Sequence, residues 1–271
     1  MPPIQTLRDG NMFEILGQFH EHAETVNIDV GTLFEDAVQK IYEAWLKPGD
    51  FAIDIGAHRG AHLFPIIEAV GPKGRVYAFE PIVSMHDNLQ RKLKKAGIKN
   101  VKLHQLALGY EAKDAAFSYF ENRPAFSGLQ RRNTPFDDDE GGLKEVIVQQ
   151  VTLDSKLPFF RKVSAIKLDI EGGELHALMG AKKCLKKSRP LVVFENGRQA
   201  SAKVYGYTAD DFFQFFDDVD MQVFWLTGEP FLPEQWSKRI QCWEFVALPK
   251  ERSDFASQLP DLCRLVLSKV S

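Results

Sequence analysis

No apolar run in the 271-residue sequence approaches the ~18 residues of a membrane-spanning helix, so no membrane partner is expected. Cysteine is scarce. The three present, Cys184, Cys242 and Cys263, are far apart, odd in number and form no C-x-x-C pair. That argues against a disulfide framework and against a zinc site built on paired thiolates. The N-terminus, MPPIQTLRDGNMFEILG, lacks a basic start followed by a long apolar stretch. No secretory signal is therefore expected, and the chain reads as cytoplasmic. Basic charge is not in excess either: 34 Lys and Arg against 37 Asp and Glu give a net charge of -3. This argues against one strongly basic nucleic-acid surface, while leaving room for a local patch. Tyr (6) and Trp (4) are few beside Phe (21). Phe has no polar handle, so its excess predicts a large core, a greasy pocket, or both.

The apolar pattern is that of an alternating α/β chain. A weak helical pattern over 11–24 carries Phe13, Leu16 and Phe19, and a clearer helix follows, with Thr32 and Glu35 spaced as a capping box. After Lys47-Pro48-Gly49, strands FAIDI (51–55), RVYAFE (75–80), NVKLHQLAL (100–108), SAIKLDI (164–170) and LVVFE (191–195) alternate with helical segments. Pro65 requires the first of these helices to begin near residue 61 or 62, and Pro81 suits a first helical position. Thr208 and Asp211 open a helix that buries Phe212, Phe215 and Phe216. MQVFWL (221–226) and CWEFVAL (242–248) have no helix between them and suggest an antiparallel pair. Strands that are apolar throughout and separated by helices predict a parallel, doubly wound sheet covered on both faces. AAFSYFE (115–121) and EVIVQQVTL (145–153) interrupt the rhythm as two further strands. One domain over 48–249, with an insertion at 110–150, a helical extension at 1–47 and a helical tail at 250–271, accounts for the whole chain.

In open α/β sheets ligands bind beyond the carboxyl ends of the strands, where strand order reverses. Four of the five strand ends carry a carboxylate: Asp54, Glu80, Asp169 with Glu171, and Glu195. Crowded carboxylates repel one another, so the cluster favours a ligand that is cationic or rich in hydroxyls. The first loop, D54-I-G56-A-H58-R-G60, has glycines for a sharp turn and a close approach. It fits the dinucleotide fingerprint badly, because the middle glycine falls at His58, and the phosphate-binding loop G-x-x-x-x-G-K-[ST] is absent. Glu80, twenty residues after Gly60, is placed to accept ribose hydroxyls. An acidic lining suits the sulfonium and ammonium of S-adenosylmethionine better than the pyrophosphate of NAD.

DIGAHRG, VYAFEP, NVKLHQLALG, VTLDS, IKLDIEGGELHALMGA and RPLVVFE, in that order and spacing, resemble the FkbM-type S-adenosylmethionine-dependent methyltransferases. The resemblance implies a Rossmann-like class I methyltransferase fold, with a seven-stranded, mostly parallel sheet whose last strand is antiparallel. It implies S-adenosylmethionine as cofactor and methyl transfer, commonly to a hydroxyl of a sugar, glycan or natural product, so a small-molecule or glycan acceptor is the expected partner. By the same resemblance Asp54, Gly56, His58 and Gly60 shape the methionine end of the cofactor site. Glu80 holds the ribose, Gln105 to Ala107 flank the adenine, and Asp169 and Glu171 face the reacting centre. His58 stands where the family usually has Asn.

Methyl transfer to oxygen needs alignment and an acceptor for the departing proton. Glu171 is the first candidate base, Asp169 the second, and Glu195 is placed to orient the acceptor. His58 and His62 titrate near neutral pH but are equally explained as a cofactor contact or a helix-start cap. A metal bound by Asp154, Asp169 and Glu195 is an alternative without diagnostic spacing, and no metal is assigned. Two other readings stay open: a non-catalytic S-adenosylmethionine-binding protein of the same fold, and an NAD-dependent oxidoreductase. The acceptor is expected among the insertion, the N-terminal helices and the Phe-rich C-terminal region. Ser127, Arg131 and Arg132 read as surface, and Phe117, Phe120, Phe126, Phe136, Phe159 and Phe160 suggest a lid.

Overall fold

From its amino end the chain runs through helices α1 (Ile4–Val26) and α2 (Val30–Trp45) into an alternation of strands and helices. First come β1 (Phe51–Ile55), α3 (Leu63–Val70), β2 (Arg75–Phe79), α4 (Val83–Lys95) and β3 (Val101–His104). Then β4 (Ala107–Leu108), β5 (Lys113–Phe120), α5 (Asp138–Gly141) and β6 (Leu143–Val151) build a separate small sheet region. β7 (Ala165–Leu168), α6 (Glu174–Met179), α7 (Lys182–Ser188), β8 (Leu191–Glu195), α8 (Gln199–Tyr205) and α9 (Ala209–Asp218) follow. β9 (Met221–Trp225), β10 (Glu244–Pro249) and α10 (Leu259–Leu267) complete the chain. This computed structural model describes residues 4–123, 126–131, 136–158 and 160–268, with side chains from residue 12 onward, so Arg132 and Phe159 lie outside the described residues.

The main sheet has seven strands in the order β3-β2-β1-β7-β8-β10-β9. All pairs are parallel except those of β10, which runs antiparallel to both β8 and β9. The expected seven-stranded class I methyltransferase sheet is therefore what forms, with β10 inserted inside the edge strand. β1 and β7 are buried at every position, as strands covered on both faces must be. α1, α2 and α10 pack against one another, and α3 lies against α2, β1 and β2. α9 opens on the expected Thr208–Asp211 capping box and buries Phe212, Phe215 and Phe216. There Phe194 of β8 and Phe245 of β10 stack at 5.7 Å, while Phe231 and Trp236 close on Phe212 at 6.0 and 5.2 Å.

Several local expectations are corrected. The segment 100–108 splits, because Gln105 and Leu106 carry the chain from the main sheet to the small one, where β4 pairs with β6. α2 begins at Val30 after Asp29, not at a Thr32–Glu35 box. α4 begins two residues past Pro81. The helix after β7 breaks at Gly180, where a Cβ would lie 2.1 Å from the Gly109 carbonyl oxygen. Phe13 and Met179 face solvent rather than the core. The Phe excess serves chiefly the α9 core. Phe120 and Phe126 pack on Phe136, and Phe160 is exposed, so of the expected lid residues that are described only Phe117 lines the cleft set out below.

Candidate active site

The strand order reverses between β1 and β7, so the loops after these two strands meet. They meet closely. A Cβ on Gly56 (φ 81°) would lie 1.8 Å from the Asp169 carbonyl oxygen, so only glycine permits the approach. Gly56 and Ala57 both donate to the Phe79 carbonyl at 3.0 Å, tying the loop to β2. His58 takes φ 45°, a left-handed conformation in which Asn, Asp and His are enriched, so His substitutes for Asn here on backbone grounds. Gly60 serves packing: its Cβ would meet Phe64 at 2.8 Å and Leu89 at 2.9 Å, so the space beside it is filled by protein and not by ligand.

The turn after β7 is strained and is held from below. Glu171 (φ 64°) and Gly172 (φ 108°) are both left-handed. The Glu174 Oε1 accepts the N–H groups of Ile170 (3.1 Å) and Gly172 (2.9 Å), fixing the turn that presents Glu171. Glu174 is fully buried and its Oε2 has no hydrogen-bond partner among the described residues. Burial outweighs the two backbone donors and pushes its carboxyl up to about 7. Glu174 was not singled out from the sequence; the Glu-Gly-Gly-Glu spacing was the available signal.

Lys167 was missed as well. It sits directly opposite Asp54 in the β1–β7 register, is buried, and donates to Asp169 Oδ2 at 3.1 Å. Burial opposes its charge, but Asp169, Glu35 and Asp54 more than offset this and hold it protonated. Burial likewise opposes ionisation of Asp169, yet Lys167 wins and keeps that carboxyl below its usual range. The acidic rim expected from sequence thus encloses a cation. Asp54 is 1% exposed, and neither of its oxygens has a hydrogen-bond partner among the described residues. Burial raises its carboxyl despite Lys167. Glu195 lies opposite Glu244 in the β8–β10 register. Burial, Asp169, Glu171 and Glu244 push Glu195 well above the usual carboxylate range, and burial does the same to Glu244.

Glu80 directly follows β2 and is buried. Its Oε2 accepts the His58 N–H and its Oε1 the Ile82 N–H, both at 2.9 Å. Burial lifts it to about 7 against those two donors. Burial, then Arg59, lowers the His58 imidazole, whose Nε2 is buried without a partner.

Two chambers adjoin at Gly56, His58, Asp169 and Glu171, which line both. The first runs from Glu80 past Pro81, Ile82, Met85 and Phe117 to Ser127, whose hydroxyl accepts the Phe120 N–H at 2.9 Å. The second, of about 460 Å³, lies between α2 and the sheet rim and takes in Asp54, Lys167 and Glu195. Gln105 is exposed and lines neither chamber. Ala107 is buried behind the first chamber's wall, in a cluster with Ile82, Met85 and Phe117. Asp154 stands apart as the cap of α7, accepting the N–H groups of Lys183 and Cys184 at 2.8 Å each, which occupies a residue considered for a metal. Arg131 is exposed and paired with Asp138.

A doubly wound sheet with a carboxylate after its second strand, and no loop for a pyrophosphate, defines a nucleoside-binding α/β protein of the class I methyltransferase type. The methyltransferase FkbM domain model matches residues 54–224, and the chain belongs to that family. "Methyltransferase 1" of Beauveria bassiana (strain ARSEF 2860) is 26% identical over 159 residues, 53% of this chain and 63% of that protein. The crystal structure of methyltransferase FkbM from Methylobacillus flagellatus KT is 18% identical, covering 73% of this chain and 43% of that one, with a TM-score of 0.45. An S-adenosylmethionine-dependent O-methyltransferase from Thermotoga maritima is 16% identical, covering 79% and 64%, with a TM-score of 0.43. The chain therefore spans under two thirds of the length of each of these proteins.

The family implies S-adenosylmethionine as cofactor, and the residues fit it. The first chamber joins an apolar wall to the Glu80 carboxylate, whose oxygens keep acceptor capacity beyond the two backbone bonds. The second holds the unpartnered Asp54 carboxylate, which suits an ammonium. Among the described residues no helix is long and apolar enough to cross a membrane.

Proposed function

We propose that the chain is an S-adenosylmethionine-dependent methyltransferase that methylates a hydroxyl of a sugar, glycan or natural-product small molecule. The carrying observation is the pair of chambers adjoining at Gly56, His58, Asp169 and Glu171, with the buried Glu80 carboxylate in one and the buried Asp54 carboxylate in the other. When bound, S-adenosylmethionine supplies a sulfonium-activated methyl group, whose C–S bond breaks with the pair left on sulfur as a C–O bond forms.

Glu80 accepts the ribose hydroxyls, and Ile82, Met85 and Phe117 wall the adenine. Asp54 takes the ammonium. His58 is neutral at physiological pH, so it adds no positive charge beside the sulfonium. Glu171 takes the acceptor's proton, because it is the carboxylate of the strained turn that lines both chambers. Asp169 is tied to Lys167 and is the weaker base. Glu195, raised far above the ordinary range beside Glu244, holds a proton and donates to the acceptor rather than removing one. Alignment of the oxygen supplies most of the acceleration, and the base a further ~10²–10⁴-fold.

Calorimetry with S-adenosylmethionine tests the reading. Glu80→Ala should weaken binding about 100-fold, the loss of two charge-assisted hydrogen bonds of at least ~1.5 kcal/mol each. Binding of NADH with none of S-adenosylmethionine would overturn it. Glu171→Gln should slow single-turnover transfer ~10²-fold or more; an unchanged rate removes Glu171 as the base.

A further inference from the structure

The second chamber has a wall that the family core does not provide. Thr32, Glu35, Asp36 and Gln39 of α2 line it, and all four precede the residues 54–224 matched by the family model. Among the described residues its lining contains no Val, Leu, Ile, Met, Phe, Tyr or Trp, in contrast to the first chamber with Ile82, Met85, Phe117 and Tyr119. Apolar acceptors would find no apolar side chain larger than Ala57 and Ala61 there, only the carbon stems of polar residues.

Glu35 is held in place. Burial and nearby carboxylates keep the Tyr42 phenol protonated, and it hydrogen-bonds His62 Nδ1 at 3.1 Å. His62 Nε2 in turn hydrogen-bonds Glu35 Oε2, so the ring bridges Tyr42 and Glu35. Glu35 Oε1 has no hydrogen-bond partner among the described residues, and the side chain is 40% exposed. The expectation that His62 caps a helix start is thereby corrected: it makes no cap bond to α3 and instead aligns Glu35. The cation in this chamber, Lys167, is already engaged by Asp169, and Asp54 is taken up by the cofactor's ammonium, so the groups that face an acceptor are those of the α2 wall. The chamber therefore offers hydrogen-bond acceptors and negative charge, and little to neutralise an anion.

We propose that this chamber receives the methyl acceptor, that the acceptor is a polyhydroxylated molecule bearing no phosphate, carboxylate or large apolar surface, and that Glu35 is its specificity-determining residue. The inference rests on the methyltransferase reading and adds the place and the selection rule. The α2 wall binds hydroxyl donors through Glu35, Asp36 and Gln39, and turns away anions by repulsion.

The experiment uses the whole chain with methyl-labelled S-adenosylmethionine and three acceptor sets. These are free hexoses and aminohexoses, their 6-phosphates and uronates, and catechol-type aromatics. The expected result is methylation in the first set, with kcat/KM at least about 100-fold lower in the other two. Glu35→Gln should raise KM for the first set about tenfold and narrow its preference over the phosphates, while cofactor Kd stays within about twofold. His62→Asn should move KM the same way. A preference for phosphorylated or aromatic acceptors overturns the proposal. So does a Glu35→Gln enzyme with unchanged KM and preference, or cofactor binding with no turnover on any set. Failure of the wild-type chain to bind S-adenosylmethionine is a different result, because it defeats the methyltransferase reading itself.

Discussion

Replacing Glu174 by Gln should reverse part of the protein's pH dependence. Glu174 is buried, and its carboxyl is raised from 4.5 to about 7, while in the unfolded chain it titrates at its ordinary value. The folded state therefore binds more protons than the unfolded state between these values, and stability is lost as pH rises through that window. At about 1.4 kcal/mol per unit, the wild type carries a penalty of roughly 3 kcal/mol near pH 8 and under about 1 kcal/mol near pH 5. Gln keeps a carbonyl oxygen for the Ile170 and Gly172 N–H groups and cannot ionise. Any fixed cost of its new buried NH₂ cancels in the comparison between pH values. The stability difference, variant minus wild type, should rise by about 2–3 kcal/mol from pH 5 to pH 8 in urea unfolding. Curves that stay parallel would refute the claim that this carboxyl is held protonated. Glu174→Ala provides the contrast. It orphans two buried amides at ~1–3 kcal/mol each, so it should be less stable than Gln at every pH, with single-turnover activity reduced as the Glu171 turn loosens.

Other outcomes follow from the same geometry. Gly56→Ala drives a Cβ into the Asp169 carbonyl and should destabilise by more than ~3 kcal/mol, read as a lost or much lowered melting transition; a wild-type melt refutes the close approach. Lys167→Met removes the buried cation from Asp169 and should cost ~3–5 kcal/mol in denaturant unfolding, whereas a neutral result means that the pair is not a stabilising ion pair. Arg252, 3.9 Å above the Trp45 ring, is a surface contact, and Arg252→Ala should cost no more than about 1 kcal/mol by thermal melting.

The sequence made the sheet readable because its strands are apolar at period and its turns carry Gly and Pro. FAIDI, RVYAF and LVVFE became β1, β2 and β8 within a residue. The carboxylate ends were readable for the same reason: a strand's last residue is defined once the strand is. What escaped was anything that depends on register or on a distant helix. Lys167 looks like a solvated strand residue until β7 is laid beside Asp54. Glu244 meets Glu195 only because β10 inserts antiparallel beside β8. Glu35 read as half of a capping box, since nothing local reveals His62, 27 residues away, as its partner. Gln105 was misplaced because one apolar run, 100–108, served two sheets. α8 was not foreseen at all; Gln199–Tyr205 is a short helix with little apolar periodicity.

The wall carrying Glu35 is fastened by the far end of the chain. α10 packs on α1 and α2, Trp45 meets Phe255 edge to face at 5.0 Å, and the Trp45 indole N–H donates to the Ser164 carbonyl at 2.8 Å. A graft of α2 alone from a relative would arrive without the surface it was shaped against. A chimera that exchanges 1–47 together with 250–268 transfers a matched pair and leaves the Glu80 and Asp54 loops untouched. Acceptor choice can then be diversified as a two-ended cassette while methyl-donor binding stays constant, in the laboratory or over descent.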